Sequence, residues 1–296
     1  MTKAPKRNRN TKFFLLAPAL LVIVATTIYP LLNSFYISFQ QWRLNRSPTP
    51  TAFVGLDNYL NAFGDEYFRN SVLVTLEFTV LSVGLTIVIG LAMALILQKR
   101  TSVNLFVRML LIFPFAVSPA LKGISFAFML SQDYGIFHAL ISMIFPFAKN
   151  MVWLADPFWG MFWLAMSEVW GWAPLYALMF IGALGSISTE IFEAAKVDGA
   201  HNWDVFWKIT LPLLKPVIII ATLLKTIFSL KMFDQVVTMT GGGPGRSTQT
   251  LNYYVFLTAF RNLDMGYSAA LAFILLIGLA IFAYFYVRAL SRPTGA

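Results

Sequence analysis

Six stretches of this chain are apolar over about 20 residues or more, the length a helix needs to cross the hydrocarbon of a bilayer. They run over 13–39, 71–97, 109–130, 158–184, 216–238 and 267–288. Most faces of these stretches are apolar, so helical periodicity adds little, and their glycines and prolines are of the kind membrane helices tolerate. The pattern predicts an all-α polytopic membrane protein with six transmembrane helices. A single membrane domain over 13–290 is expected, flanked by a basic tail at 1–12 and a short tail at 291–296. The first stretch follows a basic segment, as in a signal peptide. Its apolar run outlasts a usual signal core, and Tyr29-Pro30 interrupts any small-x-small cleavage site, so a retained span is expected.

Composition sharpens this picture. The chain is 58% hydrophobic and 12% charged, with a mean hydropathy of +0.70. A water-soluble core of 296 residues cannot hide that much apolar surface. The net charge of +9 forms no single patch, which argues against nucleic acid as a partner. The basic residues follow the spans instead. Lys3, Lys6, Arg7, Arg9, Lys12, Lys99, Arg100, Arg108, Lys196, Lys208, Lys215, Arg288 and Arg292 fall on one side, and Arg43, Arg46, Arg69, Lys149, Arg246 and Arg261 on the other. The excess places both termini, and the loop at 186–212, in the cytoplasm. The absence of cysteine excludes disulfides and thiolate metal sites, and His138 and His201 lack metal-ligand spacing.

The polar loop at 186–212 keeps helix signals. Ser188 or Thr189 can cap a helix with Glu190 in its first turn, and Asp198-Gly199 can stop it. A second short helix is expected from about Asn202 to Lys208, ended by Pro212. Two short helices about a glycine elbow would form a knob whose small residues, Ala194 and Ala195, let another surface approach. The competing reading is a connector lying on lipid headgroups. Trp203, Phe206 and Trp207 suit it, whereas Glu193 and Asp198 suit it poorly.

Charges inside spans are costly and mark cavities or partners. Glu77, Lys122, Glu168, Lys225, Lys231 and Asp234 fall within or near spans. Lys225, Ser229 and Met232 are spaced to share one helix face, which suits an oxygen-rich or anionic ligand. Two readings stand for Lys225: it lines a path, or it pairs with Glu168, Glu77 or an acid of a partner. Lys231 and Asp234 are spaced to pair with each other, and Lys122 can be structural or can snorkel. Trp172 offers an aromatic face for a ligand, against the bland role of packing. The run from Thr240 through Gly241, Gly242, Gly243, Pro244, Gly245 and Arg246 to Thr248 fails the phosphate-loop pattern and lies on the outer side, so no ATP site is expected on this chain.

Glu193-Ala194-Ala195, three residues, Gly199, nine residues, then Ile209-x-Leu211-Pro212, resembles the coupling loop of ABC-transporter permeases of the binding-protein-dependent import class. Phe53-Val54-Gly55-Leu56-Asp57-Asn58-Tyr59, Trp153-Leu154-Ala155-Asp156-Pro157 and the Thr240–Thr248 stretch are similar to the sugar branch of that family, of maltose and glycerol-phosphate type. The resemblance runs from about residue 13 to 290. It implies a type I importer permease fold in a bacterial inner membrane, with both termini inside. It also implies a second related permease, two cytoplasmic ATPase subunits that hold ATP and magnesium, and an extracytoplasmic binding protein. No catalysis and no cofactor are implied on this chain, which would carry a carbohydrate or a derivative of one.

Within the resemblance, Glu193, Ala194, Ala195, Asp198 and Gly199 would meet the ATPase, with Glu193 and Gly199 contributing most. Aligning the glycine-rich landmark with maltose-type permeases puts sugar contacts of the fifth span on Lys225, Ser229, Met232 and Asp234. Aligning Trp170 and Pro174 puts those of the fourth on Gly171, Trp172 and Leu175. Lys225 departs from the uncharged groups usual there, which raises an anionic substrate. Two other classes remain open at this point. An ion-coupled carrier would use Glu168 or Asp234, but no inverted repeat is visible. A membrane-embedded enzyme would need a catalytic constellation, and none has a recognised spacing.

Overall fold

The computed structural model describes residues 9–290. The tail at 291–296 and most of the basic tail at 1–12 therefore lie outside the described residues. The chain divides into two compact units, residues 1–65 with 255–276, and residues 66–254 with 277–296.

In the first unit a long helix, Leu16–Ser38, is apolar enough to cross a membrane, and none of its most apolar stretch is buried. Behind it, Gln40–Gln41 and Ala52–Phe53 pair antiparallel, Gln40 opposite Phe53. The Phe53–Tyr59 motif is a staple for this hairpin. Gly55 takes φ +57, a conformation other residues reach only with strain. The Asn58 amide donates to Ser38 O and Gln40 O at 2.9 and 3.0 Å, and the Tyr59 hydroxyl meets Ser38 Oγ at 2.7 Å. Arg43 closes the unit onto Asp264 at 2.7 Å, and Tyr267 donates to Asp65 at 2.7 Å.

The second unit is built around the helix Pro157–Leu184, 61% of whose most apolar window is buried. Asp156 caps it by accepting from Trp159 N at 2.9 Å, with Pro157 in the first turn, where its missing N–H costs nothing. The long helix Glu66–Leu97 lies along it. Contact is close because Gly90 faces the partner: a Cβ there would sit 3.2 Å from Ala173 O. Small residues permit this approach between membrane helices.

Among the described residues five helices are long and apolar enough to span, and a bent pair supplies the sixth span. Two expectations change in detail. The third span is not one helix over 109–130 but Ser102–Ala116 and Pro119–Met129, bent by 98°. Pro119 drives Ser118 into an extended conformation, φ −61 and ψ 145, and Ser118 then caps the second helix by accepting from Leu121 N. The fifth span is not 216–238, and the loop's second helix does not end at Pro212. One helix runs from Asn202 to Leu230. It passes through a π-helical turn at Phe206–Thr210, where Leu211 N–H reaches back to Phe206 O. That register shift skips a carbonyl, and a residue without an N–H fits there. The helix ends at Leu230, and the turn just beyond it is held by side chains: Thr250 donates to Met232 O at 3.0 Å and Asn252 to Lys231 O at 3.0 Å.

Candidate functional site

Two places concentrate unusual chemistry in the second unit. The first is the cytoplasmic loop. Ser188 caps the helix Thr189–Val197 by accepting from Glu190 N at 3.3 Å. At its other end Gly199 takes φ +74. Ala200 N–H donates to Ala195 O at 2.9 Å and Gly199 N–H to Lys196 O at 3.1 Å. Together these bonds form a Schellman motif, which satisfies the last carbonyls and turns the chain sharply. A Cβ on Gly199 would meet nothing within 4 Å. The glycine is thus required by backbone conformation, and the space beside it is open.

Glu193, Ala194, Asp198 and Gly199 are all exposed. Ala195 is not; it is buried, so of the expected coupling residues it serves the inner face of the helix. The apolar side chains displayed outward include Ile191 and Val197, the latter 87% exposed. Sequence reasoning missed Val197, whose only signal was its place one turn after Ala194 on the polar side of the helix. The following helix carries Trp203 and Trp207 exposed and edge-to-face at 5.7 Å, with Lys208 paired to Asp204 at 2.6 Å. These tryptophans suit the headgroup layer. The loop therefore combines a largely polar exposed helix with a second one that exposes two tryptophans.

The second place lies inside the membrane, where three helices bring charges together. Lys225 is fully buried and its ammonium donates to Glu168 at 2.5 Å. Of the acids considered for Lys225, Glu168 is the one it pairs with. The ammonium also lies 5.4 Å from the centre of the Trp172 ring. Lys122, on the second half of the bent span, is 3% exposed and within electrostatic reach of both Glu168 and Lys225. Its side chain runs against Gly171, where a Cβ would come 2.5 Å from the lysine Nζ. Gly171 is thus the opening through which Lys122 reaches the fourth span.

Trp172 is half-buried and is held by other rings, with Phe228 at 4.7 Å, Phe115 at 5.2 Å and Tyr176 at 6.2 Å. Leu175 is half-buried one turn further along. Ser229 is buried one turn from Lys225 and its hydroxyl has no hydrogen-bond partner. Met232 is also buried, but it follows the helix end, so the expected continuous face stops at Ser229. Asp234 is exposed beyond the turn and forms no ion pair with Lys231, whose ammonium lies 5.7 Å from the Phe228 ring. Sequence reasoning also missed Gln235, which is fully buried with both amide atoms unpartnered.

The glycine-rich stretch forms a self-contained knot. Gly241, Gly242 and Gly245 have positive φ. The amides of Gly241, Gly243, Ser247 and Thr248 donate to carbonyls of Val236, Thr240, Pro244 and Gly242. Thr248 donates to Gly243 O at 2.7 Å. These amides are used locally and are not turned outward as an anion nest.

Comparison with known proteins agrees with this architecture. The chain is 32% identical to the trehalose/maltose transport system permease protein MalF of Thermococcus litoralis, over 97% of this chain and 96% of that protein. It is 33% identical to the sulfoquinovosyl glycerol transport system permease protein SmoG of Agrobacterium fabrum, over 90% and 86%. Among solved structures, a bacterial ABC transporter involved in import of the acidic polysaccharide alginate has a chain of the same fold. Its TM-score is 0.82 at 19% identity, covering 96% of each chain. Residues 86–294 match the family described as binding-protein-dependent transport system inner membrane component. The chain belongs to that family and is a multi-pass membrane permease with a six-span, mostly helical fold that keeps one short strand pair.

Proposed function

We propose that this permease is one half of the translocation path of an ATP-driven carbohydrate importer. A second, related permease supplies the other half, two separate cytoplasmic ATPase subunits supply the energy, and an extracytoplasmic binding protein delivers the cargo. The observation that carries the reading is the cytoplasmic helix at 189–197. Its last turn is closed by the Gly199 motif, and it presents Glu193, Ala194, Asp198 and Val197 to water. A rigid, capped, outward-facing helix transmits motion as a lever, which a flexible loop does not. Closure of the ATPases on ATP would move this helix, and the continuous helix from Asn202 to Leu230 would carry the motion to the membrane cluster.

The cargo is read from the relatives and from the cluster. Permeases at 31–33% identity serve trehalose/maltose, sulfoquinovosyl glycerol and sn-glycerol-3-phosphate systems. Gly171, Trp172, Leu175, Lys225, Ser229 and Met232 form our candidate path, with Asp234 at its outer end. Lys122 and Lys225 together exceed Glu168 by one positive charge, and the unpartnered Ser229 and Gln235 groups suit hydroxyl-rich cargo. This supports an anionic carbohydrate over a neutral one. The test is reconstitution of this chain with its partner permease, ATPase and binding protein in proteoliposomes. The reading predicts carbohydrate uptake that requires internal ATP. Uptake driven by an ion gradient without the ATPase would overturn it in favour of a carrier.

A further inference from the structure

At the cytoplasmic edge of the second unit, Gln98, Arg100, Arg108, Gly182, Gly185 and Ser186 line a cavity of about 380 Å³. Two arginines face it and no acid lines it. Arg108 is fixed in place: its Nε and Nη2 donate to Leu97 O, at 3.1 and 2.5 Å, at the end of the second span. That leaves part of its guanidinium unused, and Arg100 makes no ion pair among the described residues. The turn bearing Arg100 is ordered, because Asn104 donates to Lys99 O at 2.9 Å and Thr101 Oγ1 accepts from Asn104 N at 3.2 Å.

One wall of this cavity is the helix Ser102–Leu110, which exposes Val103, Phe106, Met109 and Leu110. Arg108 shares this helix and is bound at Leu97, where the second span ends and a headgroup layer begins. Directly inward is a second cavity, of about 630 Å³, lined by apolar groups including Met93, Leu111, Pro114, Phe126 and Ala173. One small core cluster joins the two. Met93, which lines the inner cavity, and Ile181, which lines the outer, both pack on Leu97, Leu111 and Ala177.

We propose that these two cavities are one site for an anionic phospholipid of the cytoplasmic leaflet. Arg100 and Arg108 hold its phosphate, and one acyl chain enters the apolar cavity beside Leu111. The charge complementarity is one-sided, the depth matches a headgroup, and the inner lining offers a chain no polar partner. A protein partner would need an acidic side chain and an apolar one spaced across the bilayer boundary, which a lipid supplies by its own structure. The site also borders Ser186, two residues before the cap of the coupling helix, so its occupant would brace the end of the fourth span beside the moving lever.

The test is native mass spectrometry of the assembled importer purified from membranes and exchanged through detergent. The wild-type assembly is expected to retain phosphatidylglycerol through exchange. R100Q, which removes no hydrogen bond, is expected to retain about fivefold less, and R100Q/R108Q about twentyfold less. Met93→Trp, which narrows the inner cavity with both arginines intact, is expected to lower retention as well. Inorganic phosphate is the second probe. Displacement of the lipid by millimolar phosphate, or equal retention by wild type and R100Q, overturns the proposal. So does wild-type protein that retains phosphatidylcholine as well as phosphatidylglycerol.

Discussion

The cytoplasmic knob and the membrane cluster use carboxylates in opposite ways. Glu193 stands exposed on a capped helix, with no ion pair among the described residues. Glu168 is buried against Lys225 at 2.5 Å. An exposed carboxylate adds little to the stability of its own chain. A buried one must be compensated, and removing one member of such a pair costs about 3–5 kcal/mol because the other charge is left behind. The difference separates roles: the charge that folding does not use is the one open to a partner, while the charge that folding needs is already engaged.

The largest effect should come from splitting the buried pair. Lys225→Ala is expected to destabilise the purified permease by about 3–5 kcal/mol, seen as a fall in Tm and in folded yield. Glu168→Leu with Lys225→Met should recover most of that stability, because no charge is stranded. If this folded double variant also transports at the wild-type rate, the pair is structural only. If it folds and fails to transport, the pair also works in the path.

A smaller effect is expected at the edge of the cluster. Lys122→Met removes the excess positive charge and leaves the Lys225–Glu168 pair intact. Uptake of an anionic carbohydrate should fall about tenfold in apparent affinity, as for loss of one charge-assisted contact, with uptake of a neutral analogue unchanged. Equal loss for both cargoes would make Lys122 a structural lysine. Gly171→Ala tests the same contact from the other side, since the new Cβ would meet the lysine end. It should mimic Lys122→Met in part, because a flexible lysine tip can move.

At the knob, Gly199→Ala should cost about 1–2 kcal/mol in the helix Thr189–Val197, through φ +74 alone, since no neighbour is near the new methyl. Hydrogen exchange would show faster opening of the amides of Asp198, Gly199 and Ala200, with the membrane helices unchanged. The smallest effect is expected at Val197→Ser. Its side chain is free in this chain, so stability should stay within about 0.5 kcal/mol of wild type. Affinity for the ATPase should drop measurably if Val197 is covered there.

The same contrast explains what the sequence could reveal. The six spans were visible because about 20 apolar residues in a row have few other uses. The knob was visible because capping and a left-handed glycine are local devices, written in adjacent residues from Ser188 to Gly199. The bend at Ser118 was hidden, since Pro119 sits inside an apolar run that hydropathy treats as one span. The fifth span was misplaced at both ends. Pro212 reads as a stop until a π-turn absorbs it, and Thr250 and Asn252, which hold the turn beyond the far end, come from about 20 residues later in the chain. The membrane cluster was legible only as a set of alternatives. Lys122, Glu168 and Lys225 lie on three helices, and spacing along one helix does not decide which lysine meets which acid. Burial of Ala195 was invisible for the same reason, as its neighbours come from tertiary packing.

In the proposed coupling, ATP-driven motion enters the permease at Glu193. The most direct measurement compares wild type with Glu193→Ala in the reconstituted importer. Uptake, ATP hydrolysis and ATPase binding are followed on protein whose Tm is checked first. The account predicts an unchanged Tm, since Glu193 is exposed. It predicts ATPase affinity reduced by about 2–5 kcal/mol, the loss typical of truncating one member of a docked charge pair, and uptake lost in proportion. A Glu193→Ala permease that binds the ATPase normally and imports at the wild-type rate would contradict it.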